Sequence, residues 1–135
     1  MFRKTLEIKA SRRGLHDITA EVAEAVRESG VKEGMCNVFL QHTSASLVLN
    51  ENWDPSVRVD LERYLDRLAP EGDPRYTHTL EGSDDMPSHI KAALTPVSLM
   101  IPVAGGRPAL GNWQGVYLWE HRDHPGLRNV VVSVF

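Results

Sequence analysis

The sequence is short of cysteine and of long apolar runs, and both absences narrow the class of protein. Its 135 residues include one cysteine, Cys36, which cannot form an intrachain disulfide and suits a reducing compartment. No segment approaches the length of a membrane span, and residues 1–10 contain no apolar signal core. We therefore expect a cytoplasmic protein without a membrane partner, in which Cys36 is a buried small hydrophobe.

Nucleotide-binding motifs and clustered positive charge are also missing. The sequence has no Walker loop and no GxGxxG motif, and the glycine-rich segment 104–115 precedes a strand pattern rather than a helix. That segment predicts a turn, not a phosphate cradle. The formal net charge is −3 and the Lys and Arg residues are scattered, which argues against nucleic acid as the main partner.

The residues that are present predict one globular domain over 1–135. Hydrophobic residues make up 41% of the chain and charged residues 24%, and no repeat or linker interrupts it. Apolar runs and alternating patterns predict strands over 2–9, 35–41, 46–50, 97–103, 116–121 and 129–135. Helices are predicted from an Asp17 or Thr19 cap to Gly30, from Asp54-Pro55 to about Ala69, and from Met86-Pro87 onward.

These elements predict an α+β fold with a largely antiparallel sheet, or sheets, of about six or seven strands covered by about three helices. Most connections are too short for parallel crossovers. In 116–121, Tyr117, Trp119 and His121 share one face while Val116 and Leu118 lie on the other. Because both faces are apolar, much of the sheet must be covered, in part by other subunits.

The segment 78–94 concentrates the groups that can bind a charged ligand. His78 and His89 flank three acidic residues at the start of the third helix, whose predicted apolar stripe is formed by Met86, Ile90, Ala93 and Leu94. Such a segment can hold a metal ion, can hold an anion beside one, or can simply be a well-capped helix. Acidic residues at a helix start, here Asp84 and Asp85, also stabilise the helix through its dipole.

A second polar group, His42-Thr43-Ser44-Ala45, separates two predicted strands. It can be a bend whose hydroxyl groups satisfy the local backbone, or a loop that meets a ligand, and the sequence favours neither. His42, His78, His89 and His121 all lie at predicted element ends, but their spacing matches no local zinc motif such as HExxH. A single histidine at such a place is usually structural, whereas several with adjacent acids favour a metal or catalytic site.

The motifs taken together resemble the YjbQ family across essentially the whole chain. The similarity lies in HTSASLVLNENWDPSVRVDL (42–61), HTLEGSDDMPSHIKAAL (78–94), LGNWQGVYLWEHR (110–122) and the closing VVVSVF. The resemblance implies an α+β fold, a homotrimer, and a pocket between subunits that holds a metal or an anion. It also implies a weak, secondary thiamine phosphate synthase activity.

The family pattern also implies which residues form that pocket. The HTS motif contains His42, and the HxxEG motif contains His78 and Glu81. The DDMPxH motif contains Asp84, Asp85 and His89. The WQG motif contains Gln114, and the EHR motif consists of Glu120, His121 and Arg122. This chain departs from the pattern at Asn112 and Trp53, outside the His and Asp set.

Our leading hypothesis from the sequence is a metal-dependent enzyme acting on a small phosphorylated metabolite, with weak thiamine phosphate synthase activity. Zinc or another transition ion is favoured over magnesium because imidazole is the main donor. The predicted metal ligands are His78, His89 and His121; the predicted catalytic residues are Asp85, Glu81 and His42; and the predicted anion-binding residues are Gln114, Arg122 and Ser44. The alternative is a non-catalytic trimer that binds a metal or a small anion.

Overall fold

Eight strands and three helices make up the structure, a computed structural model that describes all 135 residues. In chain order they are β1 (Phe2–Lys9), β2 (Gly14–Asp17), α1 (Thr19–Ser29), β3 (Glu33–Leu40), β4 (Ala45–Glu51), α2 (Pro55–Leu68), α3 (Asp85–Leu94), β5 (Ser98–Ala104), β6 (Arg107–Pro108), β7 (Gln114–Glu120) and β8 (Leu127–Val134).

The strands form two antiparallel sheets. The five-stranded sheet has the order β1-β8-β3-β5-β6, and the three-stranded sheet has the order β2-β7-β4. The predicted α+β fold is confirmed. Two short strands bring the count to eight: β2 was predicted as part of a turn and a helix cap, but it pairs Leu15 with Trp119, and β6 lies inside the predicted turn 104–115.

The main core lies between the two sheets and α1. It combines Val22, Val26 and Ile18 with inward-facing residues of both sheets, such as Leu47 and Val132. The predicted burial of Cys36 is confirmed, and that burial raises the pKa of its thiol to about 11. At neutral pH the thiol is therefore protonated and unreactive.

A smaller core lies on the other face of the three-stranded sheet, where α2 covers it. Leu65 of α2 packs with Leu15, Tyr117 and Trp119, and Leu61 joins them at the edge. The predicted alternation of β7 is thus confirmed, because Tyr117 and Trp119 face α2 while Val116 and Leu118 face the main core. Both faces of β7 are consequently buried.

Two of the predicted helix boundaries follow from their capping residues. Gly30 follows α1 with a left-handed φ of 72°, which glycine adopts without steric cost. Asp54 caps α2, since its Oδ1 accepts the backbone N–H of Ser56 at 2.9 Å, and Pro55 takes the first helical position. None of the helices is long and apolar enough to cross a membrane.

Helix α3 differs from its prediction in both its start and its buried face. It begins at Asp85, so Pro87 is the third helical residue rather than an opening one. The predicted apolar stripe is half-buried or exposed, and Leu94 is 59% exposed. The buried residues are instead Asp85, Pro87, Ser88 and Lys91, because charged partners from other elements meet this side of the helix.

Replacing Leu47 by alanine tests the main core. Leu47 is 0% exposed and lies where β4 faces the core, so the cavity left by Leu47→Ala should lower the free energy of unfolding by about 2–5 kcal/mol. The matched control is Leu68→Ala at a residue 54% exposed, expected to change it by about 0.5 kcal/mol or less. Urea unfolding at one protein concentration measures both, and equal losses would contradict this assignment of the core.

Candidate functional site

The side chain of Asp85, in the first turn of α3, is the centre of the candidate site. Asp85 is 1% exposed, and its Oδ2 lies 2.5 Å from Nε2 of His78 and 3.1 Å from Nε2 of His89. We call these three residues the Asp85 cluster. One donor atom from each lies within 4.8 Å of the others, so the structure brings together two of the predicted ligands and a predicted catalytic residue.

The orientation of His89 is fixed by the backbone of the loop after β3. Its Nδ1 lies 2.9 Å from the carbonyl oxygen of Thr43, which can only accept, so Nδ1 carries a proton. In a neutral ring, Nε2 then presents its lone pair to the Asp85 carboxylate. Two lone pairs at 3.1 Å repel, so this orientation of the ring favours a metal ion between Nε2 and the carboxylate.

Arg122 holds the other side of Asp85. One of its terminal nitrogens donates to Oδ1 of Asp85, its Nε donates to Oδ2 of Asp84 at 3.0 Å, and its Nη2 donates to the carbonyl of Glu81 at 2.9 Å. Burial opposes ionisation of Asp85, but the hydrogen bond from His78 and the charge of Arg122 outweigh it and lower the pKa of the carboxyl. Each nitrogen of Arg122 thus donates one hydrogen bond to the protein, which uses three of its five N–H groups, and these bonds position Asp85.

A buried ion pair lies beneath this arrangement. Arg128 of β8 donates from Nε to Oε1 of Glu120 at 2.7 Å and from Nη2 to Oε2 at 2.5 Å, and Glu120 is 0% exposed. Oε2 of Glu120 also accepts the backbone N–H groups of His121 and Arg122, both at 3.1 Å. The pair therefore fixes the chain where it leaves β7 and aims Arg122 at Asp85.

The group His42-Thr43-Ser44 is held by the same strand. Arg128 donates from Nη2 to the carbonyl of Ser44 at 3.3 Å, and the N–H of Asn129 donates to Nε2 of His42 at 2.8 Å. Beside it is a cavity of about 310 Å³, lined by His42, Thr43, Ala45, His89, Ala92, Ala93 and Val97. The group is a fixed bend, and it also borders a cavity that reaches the Asp85 cluster.

The structure does not bring His121 to the Asp85 cluster. His121 is 1% exposed and its Nε2 lies 2.9 Å from Oγ of Ser46. Burial, with the positive charges of Lys91, Arg128 and Arg13, lowers the pKa of its imidazole to about 3. Of the three predicted metal ligands, the structure therefore brings together His78 and His89, beside Asp85, while His121, directly after β7, lines another cavity described below.

Three other predicted residues, Gln114, Glu81 and Ser44, are also separated from the cluster or contribute only through their backbone. Gln114 begins β7, at the strand end opposite to His121, and its Oε1 accepts the N–H of Gly111 at 2.8 Å. Glu81 is exposed and contributes its carbonyl to Arg122. Ser44 is buried, at 9% exposure, and likewise serves the network through its backbone.

Two residues that shape the site, Arg128 and Thr43, were not among the predicted site residues. A signal for Arg128 was present, since strand alternation places it on the same face as Val130, Val132 and Val134, which is the core face. A charge at such a position requires a buried partner. Thr43 acts through its carbonyl, so no side-chain pattern could reveal its contact with His89.

A second group of acids, Glu71, Asp84 and Asp123, has the spacing of a metal site but is already neutralised. Arg13 lies 3.5 Å from Glu71 and 3.3 Å from Asp123, and Arg122 lies 3.0 Å from Asp84. Only the Asp85 cluster offers imidazole nitrogens beside a carboxylate. It is therefore the candidate metal site.

Comparison with known proteins gives a consistent family assignment. A family model described as UPF0047 protein YjbQ-like matches residues 4–135. The chain is 48% identical over 132 residues to UPF0047 protein sll1880 of Synechocystis sp., covering 98% of this chain and 90% of that protein. It is 46% identical over 134 residues to UPF0047 protein YjbQ of Escherichia coli O157:H7, covering 98% and 96%. The solved structure of the conserved hypothetical protein TT1486 from Thermus thermophilus superposes with a TM-score of 0.88 at 36% identity, over 98% of this chain and 99% of that one.

The buried neutral imidazole of His121 predicts a specific loss of stability in acid. Its pKa is about 3 in the folded chain and 6.5 when unperturbed, so the unfolded chain takes up the proton first as the pH falls. The stabilisation is complete above pH 6.5 and is lost by about 1.4 kcal/mol for each pH unit below it. Urea unfolding between about pH 7 and pH 4 should show a flatter profile for His121→Gln, whereas the exposed-site control His124→Gln should follow the unmodified chain.

Proposed function

This chain belongs to the YjbQ-like UPF0047 family, and we propose that it is a metal-dependent enzyme acting on a small phosphorylated metabolite at the Asp85 cluster. His78, His89 and Asp85 are the proposed ligands of one divalent ion per chain. The observation that carries the proposal is the orientation of His89, whose Nδ1 proton is committed to Thr43 while Nε2 faces a carboxylate.

The donors of the cluster favour zinc or another transition ion. Two imidazole nitrogens and one carboxylate oxygen are typical ligands of such ions, whereas magnesium prefers oxygen donors and keeps several waters. The carbonyl of Thr43 fixes the ring of His89 and the guanidinium of Arg122 fixes the carboxylate of Asp85. Outer contacts of this kind are usual around metal ligands.

The cavity beside the cluster is the proposed position of the substrate. His89 belongs to its lining, so a phosphorylated group bound there would lie next to the ion, and Ala92, Ala93 and Val97 would meet a small apolar part. When bound, a divalent ion supplies Lewis-acid charge that stabilises negative charge developing on a phosphoryl oxygen. His42 faces the same cavity with Nε2 already accepting from Asn129, so its Nδ1–H is the group able to donate to the substrate.

Thiamine phosphate synthase chemistry is a weaker fit to these residues than hydrolysis. Departure of a diphosphate needs several cationic groups to neutralise the developing charge. Arg122 is the nearest cation to the cluster, and Asp84, Asp85 and Glu81 occupy its three nitrogens. We therefore propose the synthase reaction as a side activity only.

The same occupancy of Arg122 favours a second candidate function. A site whose nearby guanidinium already gives three of its five N–H groups to the protein is better suited to hold a metal ion than to turn over an anion. The second candidate is thus a non-catalytic protein that binds a metal or a small anion. A cytoplasmic location agrees with either function and stays a prediction.

We propose that the chain assembles as a homotrimer in which the apolar side of α3 lies against a neighbouring subunit. Leu94 is 59% exposed and Val97 41% exposed, beside the cavity of the Asp85 cluster. Gln114 lies at the far end of β7, so it can reach such a site only from another subunit. The number three comes from the family resemblance.

Metal content tests the ligand assignment. Protein prepared without a histidine tag and dialysed against zinc should hold about one ion per chain, and His89→Ala should hold almost none because two ligands rarely retain an ion. His124→Ala removes an exposed histidine outside the cluster and should keep the full content. Elemental analysis makes the comparison, and equal content in both variants would refute the site.

Turnover separates the two candidate functions. The metal-loaded chain should release phosphate from at least one member of a panel of small phosphorylated metabolites, and Asp85→Asn should lower that rate at least about a hundredfold. Phosphate release is measured colorimetrically, with His124→Ala as the control. Full metal content without turnover of any member would favour the binding protein.

Light scattering after size exclusion tests the assembly. The chain of 15.1 kDa should elute with about three times that mass. Leu94→Glu should shift the mass toward one chain, because a buried charge at an apolar contact is unfavourable. Leu68→Glu changes a similarly exposed residue on α2 and should leave the mass unchanged. A single-chain mass for the unmodified protein over a dilution series would contradict the proposal.

A further inference from the structure

A second cavity, separate from that of the Asp85 cluster, lies between α2, the turn before β2, and the end of β7. Its volume is about 220 Å³ and it shares no lining residue with the cavity beside His89. This volume is below the range of about 300–1,000 Å³ typical for drug-sized ligands, so the cavity suits a small ion or a single substituent group. We call it the α2 cavity.

Positive charge predominates in the α2 cavity although the chain as a whole is acidic. Its charged lining comprises Arg12, Arg13, Arg63 and Lys91 together with Glu62 and Asp66. The two carboxylates are already paired, Glu62 with Arg12 at 2.9 Å and Asp66 with Lys91 at 2.6 Å. Arg13 is shared between acids outside the cavity, and Arg63 forms no ion pair at all. The lining of the cavity therefore includes one exposed guanidinium that no carboxylate of the chain neutralises.

His121 adds an unpartnered polar group to the same cavity. Its side chain is almost fully buried, and Nε2 is bound to Oγ of Ser46, while Nδ1 has no hydrogen-bond partner in the protein. No buried side-chain nitrogen or oxygen in the structure is both sealed from solvent and unpaired. Nδ1 of His121 is consequently open to the cavity that the residue lines. Lys91 is also buried, at 2% exposure, and is held there by Asp66.

We propose that the α2 cavity binds a tetrahedral oxoanion, either inorganic phosphate or the phosphate group of a small metabolite. Arg63 comes from α2, Lys91 from α3 and His121 from the end of β7, so polar groups approach from three elements; Nδ1 of His121 donates in the tautomer whose Nε2 accepts from Ser46. A planar carboxylate is usually met by one guanidinium in a two-point contact, whereas donors arriving from several directions suit the oxygens of a tetrahedron.

Other occupants fit the lining less well. Val59, Leu65 and Trp119 are the only apolar residues among the eleven that line the cavity, which is too few for an apolar ligand. A metal cation would meet carboxylates that Arg12 and Lys91 already neutralise. This binding site does not depend on the proposed metal site, because the two share no residue.

Titration calorimetry of the metal-free protein with inorganic phosphate at constant ionic strength tests the proposal. Arg63→Gln should weaken saturable binding by about tenfold or more, because a charge-assisted contact is lost. Arg67→Gln removes the same charge from α2 one turn further on, outside the cavity lining, and should change the affinity less than twofold. Equal affinities of the two variants, or no saturable binding by the unmodified chain, would overturn the proposal.

Histidine ring spectra locate the bound ion. Phosphate should shift the nitrogen resonances of His121 more than those of His42 or His89, and the His89→Ala variant should bind phosphate with unchanged affinity. Shifts confined to His42 and His89, lost in His89→Ala, would instead place the anion at the Asp85 cluster and refute the α2 cavity as its site. Glycerol 3-phosphate distinguishes the two sources, since binding tighter than that of inorganic phosphate identifies a metabolite group and weaker binding identifies the free ion.

Discussion

The buried ion pair between Glu120 and Arg128 is the interaction on which the candidate site depends. Glu120 receives four hydrogen bonds, two from Arg128 and two from the backbone after β7, and Arg128 also donates to the loop that carries His42. Two chain segments far apart in sequence are thereby fixed relative to each other. Removing either Glu120 or Arg128 would leave the other as an isolated buried charge, so a single substitution at this pair destabilises the fold.

Helix α3 connects the two proposed sites. Its Asp85 meets Arg122 and the two histidines, and two turns later its Lys91 meets Asp66 above the α2 cavity. The residues His121 and Arg122 are adjacent in sequence yet serve opposite sides, one facing the α2 cavity and the other Asp85. The polar side of α3 is therefore the one that the protein buries, and its apolar side is half-buried or exposed.

Much of the fold could be predicted from local chemistry. Gly30 and Asp54-Pro55 mark helix ends by steric and hydrogen-bonding rules that act within a few residues, and the alternation of β7 reports burial on both faces. The short strand β2 and the buried face of α3 depend on distant partners, which periodicity does not encode. The candidate site likewise has residues placed by local sequence and residues placed by distant contacts. His78, Asp85 and His89 share a segment and were found together, whereas the place of His121 was decided by the direction of β7 across the sheet.

The burial of Cys36 has a practical consequence for the whole chain. Its thiol lies at zero exposure in the central strand β3, between β5 and β8, and it has no partner for oxidation within the chain. A maleimide or disulfide reagent can reach it only when the two sheets separate, so the labelling rate reports opening of the core and not loop motion. The native protein thus carries an internal probe of its own cooperative unfolding, one that needs no engineered residue.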